Sequence, residues 1–171
     1  MKYLKYLTYS VVCLAAMFAV SASAQGEKFS NPNVDYTFEL PDIKWKMTVK
    51  PSAGSPNVEY VFGDRNDGHL EIRRVAVGAN ALMGDIVREE EQKLQFLPGF
   101  VAGKEENFGG FLKGSALNYE FVRGGRPMSG RFYFLRANPT TVYVLRFSGF
   151  TDKLRSIRHQ TDSIARTFKA S

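Results

Sequence analysis

Two neighbouring segments, Arg131-Phe132-Tyr133-Phe134-Leu135-Arg136 and Thr141-Val142-Tyr143-Val144-Leu145-Arg146-Phe147-Ser148, constrain this chain more than any other feature. Successive side chains of a strand point to opposite faces. Phe132 and Phe134 therefore oppose Tyr133 and Leu135, and Val142 and Val144 oppose Tyr143, Leu145 and Phe147. Both faces of the sheet that these strands build are apolar. An antiparallel sheet with one wet face alternates apolar with polar; this one needs a cover on each side.

Helical periodicity supplies both covers. From Ala81 onward, Leu82/Met83, Ile86/Val87, Leu94 and Leu97 recur at helical spacing, with Asn80 placed as N-cap and Pro98-Gly99 as the stop. Glu89-Glu90-Glu91 read as a solvated outer face, since adjacent helical residues diverge and do not converge on one substrate. Leu154, Ile157, Ile164, Ala165 and Phe168 form a second stripe, started by Thr151 or Asp152. The expected architecture is an α/β (α+β) three-layer sandwich, α/β/α, around a mainly antiparallel sheet.

The other strands follow from alternation and turn residues. Val34 to Leu40 alternates and stops at Pro41; Trp45 to Val49 and Val58 to Phe62 flank a Pro51 to Pro56 loop. Gly63 to Gly68 reads as a turn before a strand from His69 to Val77. Phe100 to Asn107 and Phe111 to Val122 complete a meander whose later turns are Gly124-Gly125 and Asn138-Pro139. Asp64-x-Asn66 has calcium-loop spacing, but the next acid, Asp67, comes one place early. Val75 stands where the bidentate glutamate belongs, which leaves a hairpin turn.

The N-terminus sets the compartment. A basic start from Met1 to Lys5, an apolar stretch from Leu7 to Val20 and Ala22-Ser23-Ala24 together read as a secretory signal peptide over residues 1–24. The stretch is shorter than the ~20 apolar residues of a membrane span, so no stable membrane span is expected after cleavage. Removing it leaves 171 − 24 = 147 residues, a single domain over 25–171, destined for the periplasm or the exterior. The chain's one cysteine, Cys13, falls inside the signal segment. The mature protein is thereby without disulfides, thiolate metal sites or cysteine nucleophiles. Val11 and Val12 disfavour lipid modification of Cys13. Subtracting Lys2 and Lys5 from the net charge gives 6 − 2 = +4, and the arginines are dispersed, so nucleic acid is not an expected partner.

The sequence carries no catalytic constellation. His69 and His159 read as ordinary surface histidines. Ser115, Ser129 and Ser148 lack a Gly-x-Ser-x-Gly setting, and Gly103 and Gly109-Gly110 match neither a phosphate loop nor a dinucleotide fingerprint. Phe132-Tyr133-Phe134 alternates faces and reads as core, not as a stacking platform. No cofactor or metal is expected. Arg74, Glu120, Arg136 and Arg146 do interrupt apolar strands, and a charge on a covered face must be paired or reach solvent. Strand-end exposure or structural ion pairs would account for them; Glu120 paired with one of the arginines beside an opening would instead make an anion or ligand pocket. These four residues are the candidate ligand or partner site.

Several runs, taken together, resemble the PsbP-like α/β/α sandwich family. They are Tyr36-x-Phe38-x-Leu40-Pro41-x-x-x-Trp45, the Glu-bearing central helix, Pro98-x-Phe100, Gly110-x-x-x-Gly114 before Leu117-x-Tyr119, Gly130-Arg131-x-Tyr133-Phe134-Leu135, Val142-Tyr143-Val144-Leu145-Arg146-Phe147 and Asp162-Ser163-Ile164-x-x-Thr167-Phe168. That family includes extrinsic photosystem II subunits, exported bacterial proteins and a Ran-binding import factor. The resemblance implies a non-catalytic exported accessory protein that binds another envelope or secreted protein. Two alternatives stand beside it: a small-ligand or lipid carrier with a pocket between helix layer and sheet, and a hydrolase with a site not evident in the sequence. Metal ligands of some members have no counterpart here, because His69 and His159 are the only histidines.

Overall fold

The computed structural model describes residues 26–171; the signal peptide expected over 1–24 lies outside them. The elements are β1 (Glu27–Phe29), β2 (Tyr36–Leu40), β3 (Trp45–Val49), β4 (Val58–Phe62), β5 (Asp64–Ala76), α1 (Met83–Leu94), β6 (Val101–Gly109), β7 (Lys113–Arg123), β8 (Arg126–Asn138), β9 (Thr141–Phe150), α2 (Thr151–Ser156), α3 (Arg158–Thr167) and β10 (Lys169–Ala170). Seven strands form one antiparallel sheet in the order β3-β4-β5-β9-β8-β7-β6. No helix among the described residues is long and apolar enough to cross a membrane.

Both faces of this sheet are covered, as the two-sided strands require. On the front face, Tyr133, Leu135, Tyr143, Leu145 and Phe147 pack with Leu154, Ile157, Ile164, Ala165 and Phe168. On the back face, Phe132, Phe134, Val142 and Val144 pack with Ile86, Val87 and Leu94 of α1. The front cover is composite. β2 is not part of the large sheet but lies between β1 and β10 in a separate three-stranded sheet, delivering Tyr36 and Phe38 onto Phe168. The fold class is α+β, an open, largely antiparallel sheet between two layers.

Several local expectations are corrected. α1 starts at Met83, with Leu82 in the cap position and no side-chain cap; Asn80 instead sits in a turn closed by Ala81 N to Gly78 O at 2.9 Å. The solvated face expected of Glu89-Glu90-Glu91 does not extend to Glu90, which is 5% exposed. Arg73 Nη2 reaches it at 2.8 Å and Lys93 Nζ at 2.6 Å. The anticipated Gly63–Gly68 turn is much tighter: Gly63 adopts φ 69° and Phe62 pairs with Asp64. β5 therefore begins at Asp64, and His69 lies inside the sheet, buried. The C-terminal helix breaks at Ile157, giving α2 and α3. Ile157 rests on Gly68, where a Cβ would come within 2.8 Å of its Cδ1. Across the break, Gln160 accepts a buried hydrogen bond from Trp45 Nε1 at 2.9 Å.

Candidate functional site

The register of β7 and β8 sets Asn118 opposite Arg131 and Glu120 opposite Ser129, all on the front face. The helices lean over β5, β8 and β9, leaving the β6–β7 corner open. The result is a cleft of about 260 Å³ between the sheet and a wall that includes Thr151, Leu154, Arg155 and Arg158.

Arg131, only 7% exposed, is the deepest cation of this cleft. A buried guanidinium persists only when its charge and donors are met. Here Nε donates to Tyr133 Oη at 2.8 Å and Nη1 to Asn118 Oδ1 at 2.7 Å; Asp162 and Glu106 lie at 3.4 and 3.7 Å. The Tyr133 hydroxyl donates to Asp162 and lies 3.0 Å from Thr161 Oγ1. Burial pushes this phenol far above its ordinary value, with the Arg131 charge opposing and the bond to Asp162 adding to the rise. Tyr133 therefore remains a protonated donor, and the base of the cleft is a satisfied network.

The rim differs in kind. Glu120, Arg155 and Arg158 are exposed and enter no ion pair among the described residues. Beside them stand apolar side chains open to solvent. Val101, cross-strand from Glu120, is 59% exposed, and Phe96, on the turn leading into β6, is 91% exposed. Val122, also exposed, is held next to that turn by its N–H to Pro98 O at 2.7 Å.

The four charges singled out from the sequence are distributed over different parts of the sheet. Glu120 lines the cleft. Arg74, on the front face near β2, lies 3.4 Å from Asp35. Arg146 is on the back face, donating Nε–H to Tyr119 Oη at 2.8 Å with Glu71 at 4.0 Å. Arg136, also on the back, donates to the carbonyls of Ala81 and Pro139. Glu120 thus shares its cleft with other arginines than those first named. Arg131, Arg155 and Arg158 were missed because the first reads from the sequence as the opening residue of a strand, whereas it lies in the middle of β8, and the others belong to helices distant in sequence. The available signal was a pair of arginines beside the Leu154/Ile157 stripe.

His69 Nε2 lies 2.8 Å from Glu59 Oε2 and His69 faces Ser148 in the β5–β9 register. No hydrogen bond joins the imidazole to Ser148, and the pair lines neither this cleft nor the groove on the back face that contains Arg136. Among the described residues no three His, Cys, Asp or Glu side chains gather as a metal site. What the cleft offers chemically is recognition, through donors, both signs of charge and an apolar rim.

No family model and no curated protein sequence matches the chain. Solved structures do. Ran-binding protein Mog1p of Saccharomyces cerevisiae aligns with a TM-score of 0.60 at 11% identity, over 86% of this chain and 96% of that chain. Cyanobacterial PsbP from Synechocystis aligns at 0.57 and 16% identity, over 86% and 94%. LpqN of Mycobacterium tuberculosis, described as involved in cell envelope biogenesis, aligns at 0.55 and 16% identity, over 85% and 91%. The chain therefore has the PsbP-like fold that these proteins share.

Proposed function

We propose that this chain is a non-catalytic accessory protein, exported to the periplasm or the exterior, that docks another protein on the open β6–β7 corner. The observation that carries the reading is the coincidence of solvent-open Phe96, Val101 and Val122 with the unpaired charges Glu120, Arg155 and Arg158. An apolar centre rimmed by charge is the anatomy of a protein interface, and Phe and Arg are enriched there. The neighbours support the role by analogy of fold: one is a Ran-binding protein and another takes part in envelope biogenesis.

The test is photo-crosslinking in the source cells with benzoylphenylalanine at position 96. A discrete heterologous adduct that disappears with Arg158→Glu is expected. Absence of any such adduct from positions 96, 101 and 122 would refute the docking corner. Turnover of an ester, peptide or glycoside by the purified protein, abolished by His69→Ala, would refute the non-catalytic part.

A further inference from the structure

We propose that a second site, on the opposite face and at the other end of β7 and β8, binds a small anionic amphiphile: a carboxylate or phosphate joined to a hydrocarbon body. It is a groove of about 850 Å³ where the start of α1 meets the back of the sheet, within the size range of small-molecule sites.

Charge supplies the first argument. Lys113 and Arg136 are direct cross-strand partners, and like charges so placed destabilise a sheet unless compensated. Neither forms an ion pair among the described residues, and no acidic side chain lines the groove. Arg136 is held in place by carbonyls alone, Ala81 O at 2.8 Å from Nη2 and Pro139 O at 3.2 Å from Nη1. Those bonds orient the guanidinium without cancelling its charge. A concave surface carrying two cations and no acid concentrates anions.

The groove's apolar wall supplies the second argument. Leu82, 69% exposed, stands with Ala81 and Met83 around the same opening. A simple inorganic anion would use the cations and leave this wall wet; a neutral hydrocarbon would use the wall and leave the like charges facing one another. A ligand with both parts satisfies both, with Ser115, buried in the lining, available as a hydroxyl donor.

The probe is dodecanoate, titrated calorimetrically into the purified protein, with acetate, inorganic phosphate and dodecanol as controls. Dodecanoate is expected to bind more tightly than every control. Lys113→Gln should weaken it about tenfold, and Leu82→Asp should weaken it at least as much; both positions are exposed, and thermal denaturation verifies folding. Amide NMR shifts on titration should centre on Ser115 and Leu82. Equal affinity for acetate or phosphate would reduce the site to a plain anion site, and equal affinity for dodecanol would remove the cations' role. No binding of dodecanoate or dodecyl phosphate, binding only to anionic phospholipid vesicles, or indifference to both substitutions would each overturn the proposal. Phe96 follows the C-terminal end of α1 whereas the groove lies at its start, so either result stands without the other.

Discussion

The ring of Tyr119 occupies the space above Gly130: a Cβ on that glycine would lie 2.0 Å from Tyr119 Cζ. The two are cross-strand partners, an aromatic laid over a glycine in the pleat. Gly130→Ala is expected to cost about 1–3 kcal/mol through overpacking and to detach Tyr119 from Arg146. Urea denaturation measures the first effect; unchanged stability would show that the ring moves aside freely.

Glu90 links α1 to the sheet. Burial alone would raise its pKa, but hydrogen bonds from Lys93 and Arg73, and their charges, hold it below the usual carboxylate value. Its stabilisation is therefore complete above the unfolded value and is lost as pH falls through the lower folded one. Glu90→Gln should cost about 1–3 kcal/mol at neutral pH. The gap between variant and parent should close as pH drops below the ordinary carboxylate range. A gap constant down to strongly acid pH would contradict the pairing.

Alkali acts through the phenols. Tyr36, Tyr60, Tyr119, Tyr133 and Tyr143 all have raised pKa values, burial being the largest cause in each. Their contribution is full below the unfolded value of 10 and is lost as pH climbs toward the folded values, each by about 1.4 kcal/mol per pH unit. Unfolding is expected to begin above that unfolded value, with tyrosinate absorbance rising in step with loss of circular dichroism. Absorbance rising ahead of unfolding would refute it.

Arg146 is half-buried beneath two rings, its guanidinium 5.8 Å from the centroid of Tyr119 and 5.7 Å from that of Phe132. Methionine retains the packing and loses the hydrogen bond to Tyr119. Arg146→Met is expected to cost about 1–2 kcal/mol with crosslinking at Phe96 and dodecanoate binding unchanged, because it lines neither cleft nor groove. Loss of either interaction at full stability would place Arg146 in a functional site.

The two layers were legible because β8 and β9 are apolar on both sides and each covering stripe keeps a helical period. β1 and β10, three and two residues long, carry no readable period and exist as partners for β2. Glu120 was legible as a charge breaking an apolar strand. Its surroundings were not, since Arg155 and Arg158 reach the cleft through a helix pair broken at Ile157, whose side chain rests on Gly68 from a distant strand. Glu90 looked solvated because Arg73, its partner, lies on a strand whose back face only tertiary pairing reveals.

The small sheet also governs the order of assembly. Tyr36 pairs with Ala170 and Thr37 with Lys169, so one edge of β2 waits for a partner from far along the chain while the other pairs locally with β1, whereas β7, β8 and β9 are joined by short turns. Contacts between sequence-distant segments form late because loop closure must precede them. A chain threading outward from its N-terminus would hold Tyr36 and Phe38 without their final cover until Phe168 emerged. The front cover over Tyr36 and Phe38 would thus stay incomplete, and accessible to chaperones, until the segment around Phe168 was in place.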